Sequence, residues 1–185
     1  MRYFLGFLIA LGLIVLVFVL VFKAFRGGSS NTPLPKPLVS YASTDTTVEM
    51  DVIGQVNADQ NHREIDINVG KSQSSIDIIK GYQGDVINKK VYPNNQNAYA
   101  DFLRALDLAG YTKGDTSKSA ADFRGQCPLG QRYVYKIING SGATKQDFWY
   151  SSCGVGSFQG SSNLINQLFQ NQIPDYDSLT ANVNL

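Results

Sequence analysis

Residues 46–69, TTVEMDVIGQVNADQNHREIDINV, decide the fold class of this chain. Apolar side chains occupy every second position in both halves of the segment: Val48, Met50, Val52, Ile65, Ile67 and Val69. This period of two is typical of strands that bury one face. Residues 57–61 between the halves have the composition of a turn, so we expect an antiparallel hairpin.

The residues that follow continue the pattern with two more strands and one helix. Residues 75–80 and 86–92 are each bounded by glycine or proline, which predicts a third and a fourth strand. The next apolar stripe has helical spacing and ends at Gly110, a typical helix C-cap. Its members are Tyr99, Phe102, Leu103 and Leu106.

The C-terminal third predicts a second hairpin and a last helix. Residues 132–139 and 147–153 flank a Gly-Ser-Gly-Ala turn at residues 140–143. Ser161 or Ser162 then begins a helix that Pro174 stops. Because strands and helices segregate in the order ββββαββα, we expect an α+β fold, a twisted antiparallel sheet with two helices packed on one face.

The N-terminus predicts attachment to a membrane. Residues 3–22, YFLGFLIALGLIVLVFVLVF, carry no charge, and a helix of this length spans about 30 Å, one bilayer core. The apolar run has no small-residue cleavage site and continues into Lys23 and Arg26, so we interpret residues 1–26 as an uncleaved transmembrane anchor. Residues 27–40, rich in glycine, serine and proline, form a linker, and residues 41–185 form one domain.

The charges and the cysteines give opposite indications of the side on which the domain lies. Lys23 and Arg26 mildly favour a cytoplasmic domain under the positive-inside rule. Cys127 and Cys153 are placed symmetrically about the tip of the second hairpin, which predicts a disulfide and an oxidising compartment. We give the cysteines more weight and expect an extracytoplasmic domain at the cell membrane. The alternative is a pair of free thiols in a reducing compartment.

Charge and motif content exclude several function classes. Residues 41–185 have 12 basic and 15 acidic side chains, so no basic footprint for nucleic acid is present. Two cysteines and the single His62 do not have the ligand spacing of a zinc site. We predict no catalytic residue, cofactor or metal site, although Cys153 with His62 as its base would be the cysteine-nucleophile alternative. His62 lies in a predicted turn, where we expect a solvated imidazole.

Aromatic residues are concentrated in the second hairpin and the segment after it: Tyr133, Tyr135, Phe148, Trp149, Tyr150 and Phe158. Neighbouring strand residues point to opposite faces, so these rings cannot all lie on one side of the sheet. If one face stays open, it forms an interaction surface for another envelope protein or a glycan. The alternative is that loops cover it.

Two resemblances accompany these patterns. The motifs Trp149-x-Ser151-x-Cys153-Gly154 and Gly156-x-Phe158-x-Gly160 resemble uncharacterised single-pass membrane-anchored proteins of small-genome bacteria such as Saccharibacteria, a family that implies no function. The order of strands and helices over residues 46–174 is similar to that of emfourin-type protease inhibitors. We therefore expect a membrane-anchored, non-catalytic binding domain, with a protease inhibitor-like domain or a small cell-envelope hydrolase as alternatives.

Overall fold

The computed structural model describes residues 36–185. The predicted transmembrane anchor, residues 1–26, and most of the predicted linker lie outside the described residues. None of the helices within residues 36–185 is long and apolar enough to cross a bilayer.

Six antiparallel strands form a single sheet, as the alternating patterns predict. Their spatial order is β4-β3-β2-β1-β5-β6, so β1 lies inside the sheet between β2 and β5. The strands are β1 (Thr47–Ile53), β2 (Arg63–Val69), β3 (Gln73–Lys80), β4 (Asp85–Pro93), β5 (Arg132–Ile138) and β6 (Thr144–Ser151).

Four α-helices accompany the sheet in the described residues: α1 (Gln96–Ala109), α2 (Lys118–Ala121), α3 (Ser162–Gln170) and α4 (Tyr176–Thr180). The Asn95 side chain caps α1 by accepting hydrogen bonds from the backbone N–H groups of Asn97 and Ala98. Gly110 ends α1 with φ 81°, a left-handed conformation that glycine adopts without strain. The short helices α2 and α4 were not predicted, because four or five residues are too few to show a helical period.

The main core lies between one face of the sheet and the helices α1 and α3. Alternate residues of β1 and β2 are buried against side chains of both helices, among them Leu103, Leu106, Ile165 and Phe169. Leu38 also belongs to this core, and its N–H donates to Asp107 of α1 at 3.3 Å. Leu38 therefore packs with the domain, although it lies within the predicted linker. The α+β architecture expected from the sequence is confirmed.

Candidate functional site

The sheet face opposite α1 and α3 carries acidic side chains near its centre. The alternation that turns Met50 and Ile67 into the core turns Asp51 and Asp66 to the other face. Glu49, Glu64 and Asp77 share that face by the same parity. We call the group Glu49, Asp51, Asp66 and Asp77 the carboxylate face.

Three of these residues form a row straight across the sheet. Asp51 of β1 is the register partner of Asp66 of β2, and Asp66 is the register partner of Asp77 of β3. Lys89 of β4 continues the row beyond Asp77. Like charges directly opposite each other destabilise a sheet, and aspartate is depleted in strands. The row is therefore unfavourable for the fold and needs a reason other than packing.

Two lysines compensate part of the negative charge. Lys136 Nζ lies 2.7 Å from Glu49 Oε1 and also contacts Asp51 Oδ2. Lys89 Nζ lies 2.7 Å from Asp77 Oδ2. Asp66 forms no salt bridge with a described residue. The Oδ1 atoms of Asp51, Asp66 and Asp77 are buried and accept no hydrogen bond from the described part of the chain.

Burial changes the acidity of the row. Removal from water raises the pKa of Asp51 to about 8, and the negative charges of Asp66 and Glu49 add to the effect, although Lys136 opposes it. Burial also raises the pKa of Asp66 to about 7, with a further contribution from Glu49. Burial lowers the pKa of Lys136, but the charges of Asp51 and Glu49 outweigh it, so that pKa is raised overall. The directions of these shifts favour the protonated forms of Asp51 and Asp66.

The carboxylate face is accessible at its margins and covered at one end. The side chains of Glu49 and Asp77 are 12% and 17% exposed, whereas that of Asp51 is 8% exposed. At the β6 end, Trp149 is buried beneath α2, where its Nε1–H donates to the carbonyl of Ala120 at 2.6 Å. Phe123 packs on Trp149 with 6.1 Å between ring centroids.

This arrangement can hold protons and attract organic cations. Asp66 and Asp77 are partly exposed on this face, and hydrogen bonds between carboxylates and ammonium or guanidinium groups are strong. Among residues 36–185, no three histidine, cysteine, aspartate or glutamate side chains are grouped so that they could hold a metal ion.

His62 lies beside the carboxylate face, in an environment that its sequence neighbours did not indicate. The sequence predicts a solvated imidazole in a turn, but the residue is 1% exposed. Its Nδ1 lies 3.2 Å from the carbonyl oxygen of Gln55, and its Nε2 lies 2.9 Å from Glu64 Oε1. The ring of Tyr82 stacks on it at 4.1 Å between centroids. The solvated-turn prediction was wrong because Tyr82, twenty residues along the chain, returns to cover the ring.

The six aromatic residues of the predicted interaction surface lie on both faces of the sheet. Tyr135, Phe148 and Phe158 are buried in the main core, and Trp149 is buried on the opposite face. Tyr133 and Tyr150 are partly buried against the core. An interaction surface built from this set stays a prediction, and Tyr133 and Tyr150 are the members with accessible surface.

The predicted disulfide is confirmed: Cys127 and Cys153 are bonded, with 5.8 Å between their Cα atoms. Both cysteines lie just beyond the paired ends of β5 and β6 rather than within the strands. Nearby, the Ser152 N–H donates to Gln131 O at 2.9 Å, and the Gln131 N–H donates to Ser152 Oγ at 3.0 Å. The bond therefore closes the base of the second hairpin.

Sequence reasoning missed the carboxylate face, although signals for it were present. The hairpin of β1 and β2 places Asp51 and Asp66 on the outer face, and Asp77 stands between Ile76 and Ile78 in β3. Aspartate in the middle of three consecutive strands is the signal that could have found the row. Comparison with known proteins finds no family model and no curated protein that matches this chain.

Proposed function

We propose that this chain is a membrane-anchored, non-catalytic binding domain whose carboxylate face receives a cationic group of its partner. The observation that carries the proposal is the row of Asp51, Asp66 and Asp77, register partners on neighbouring strands with buried oxygens that lack donors. Destabilising features of this kind are typical of functional sites, where binding or chemistry requires residues that are unfavourable for stability. An ammonium or guanidinium group placed above the row would be attracted to the partly exposed Asp66 and Asp77 and would neutralise part of the charge.

The charge count on this face supports a cationic partner. Glu49, Asp51, Asp66 and Asp77 supply four carboxylates, and Lys136 and Lys89 supply two ammonium groups. Full ionisation leaves a net charge of −2 from these six groups. The partner would be another envelope protein or a ligand that carries lysine-like or arginine-like groups.

A binding measurement tests this proposal. At pH 8.5 and low salt, a fluorescent tetralysine peptide should bind the domain, and Asp66→Asn should weaken the binding about five-fold, because a close charge pair is lost. Asp101→Asn is the matched control, since Asp101 lies exposed on α1 and pairs with Arg104. Equal effects of both substitutions would indicate unspecific attraction and contradict a site on the carboxylate face.

The location of the domain belongs to the same proposal. The apolar run of residues 3–22 supports an anchor, and the disulfide between Cys127 and Cys153 supports an oxidising compartment. A protease added to intact cells should therefore remove the residues beyond about position 27 and leave the anchor in the membrane. Full protection of the domain, together with accessible tags at the N-terminus, would reverse the orientation.

A further inference from the structure

The two edges of the sheet differ in how they are covered. Beyond β6, the Phe158 N–H donates to Trp149 O and the Ser151 N–H donates to Val155 O, both at 2.9 Å. Outside that segment, Gly114 forms a bridge with Phe158. Two short extended segments therefore close the β6 edge.

The β4 edge has no such cover in the described residues. β4 is the terminal strand of the sheet and pairs with β3 alone. All nine of its residues are exposed except Tyr92, which is partly buried. A long edge strand with solvated N–H and C=O groups is a template on which another extended chain can pair.

The side chains of β4 define what would fit there. Val86 and Val91 are 52% and 51% exposed and share a face with Lys89, because their partners in β3 are Ile79, Ser75 and Asp77. Lys90 points to the other face and forms no salt bridge with a described residue. The edge therefore presents apolar side chains on one face and a cation without an ionic partner on the other.

We infer that β4 receives an extended acidic segment of another protein as a seventh strand of the sheet. An aspartate or glutamate of that segment would lie opposite Lys90, and β-branched side chains would lie opposite Val86 and Val91. Cross-strand pairs of these kinds stabilise a sheet. The segment would gain backbone hydrogen bonds along β4, and the charge pair would set its register.

The same lysines disfavour a second copy of this chain at the edge. An antiparallel pairing of two β4 strands centred on Lys89 and Lys90 would place lysine opposite lysine, which is unfavourable. Edge lysines commonly prevent such self-pairing. An acidic segment would be attracted by the same lysines. Charge complementarity therefore favours an acidic partner over a second copy of this chain.

Two synthetic peptides test the inference: acetyl-Thr-Val-Glu-Val-Thr-Val-amide and the same peptide with lysine in place of glutamate. The full chain is kept in detergent and titrated with each peptide. The backbone amides of residues 36–185 are followed by NMR. The acidic peptide should shift the amides of β4 and protect them from hydrogen exchange, and should bind about five-fold tighter than the basic one. The exposed substitution Lys90→Glu should reverse this preference.

Three results would overturn the inference. One is that neither peptide affects the amides of β4, and another is that both peptides bind equally well. The third is that sedimentation shows the chain pairing with itself through β4. None of these depends on the aspartate row, so the outcome here is separable from that of the tetralysine experiment.

Discussion

Raising the pH from 5 to 9 should lower the free energy of unfolding of the domain by about 7 kcal/mol. The folded-state pKa values of Asp51 and Asp66 are raised to about 8 and about 7, above the value of 3.8 for an ordinary aspartate. The folded state therefore retains protons that the unfolded state has already released. This stabilisation is complete below pH 4 and is lost as the pH rises through the folded-state values. Urea unfolding at a series of pH values measures it.

Two substitutions identify the groups responsible for the pH dependence. Asp66→Asn should raise the free energy of unfolding at pH 9 by about 2 kcal/mol and flatten the pH dependence, because a neutral amide replaces a buried charge. Asp101→Asn, on the exposed side of α1, should leave the dependence unchanged. A wild-type stability that rises from pH 5 to pH 9 would show that the aspartates are ionised and stabilised in the folded state, contrary to the argument.

Removing the disulfide should lower the free energy of unfolding by about 3.5 kcal/mol, the loop-entropy value for a separation of 26 residues. The variant is the double substitution of Cys127 and Cys153 by serine. The bond joins the segment before β5 to the end of β6, so its loss should first loosen the second hairpin and the region of α2 that covers Trp149. Thermal unfolding measures the loss, and hydrogen exchange locates it.

Reduction of the wild-type protein is the control for the double variant. Dithiothreitol should reproduce the loss of stability in the wild type and have no effect on the variant. If the untreated protein from its native host labels quantitatively with a thiol reagent, the disulfide is absent there. That result would also remove the main support for placing the domain outside the cytoplasm.

The sequence predicts the sheet well because each strand repeats one physical rule. Val48, Met50 and Val52 alternate with polar residues, and only a half-buried strand satisfies that pattern. The α1 boundaries follow from local signals, namely the Asn95 side chain and the left-handed Gly110. The pairing of β1 with β5 connects segments about eighty residues apart, and no local pattern reports it.

The Lys136 contacts of the candidate site depend on that long-range pairing, whereas the aspartate row lies on three consecutive strands. Lys136 reaches Glu49 and Asp51 only because β5 pairs with β1. The register between β2 and β3, which aligns Asp66 with Asp77, follows from the turn at Gly70, where the Gly70 N–H donates to Gln73 O at 2.9 Å. His62 illustrates the same limit, since its burial depends on the distant ring of Tyr82.

Carboxyl carbon NMR shows whether Asp51 and Asp66 belong to a binding row for a cation. With side-chain carboxyl carbons labelled, the resonances of both residues are titrated from pH 4 to 10 with and without tetralysine. Without peptide, both should titrate near neutral pH, with values of about 8 and about 7. With peptide, both midpoints should fall, because a bound cation favours the ionised carboxylates. Midpoints near 4 that tetralysine leaves unchanged would show that the two aspartates form no such row.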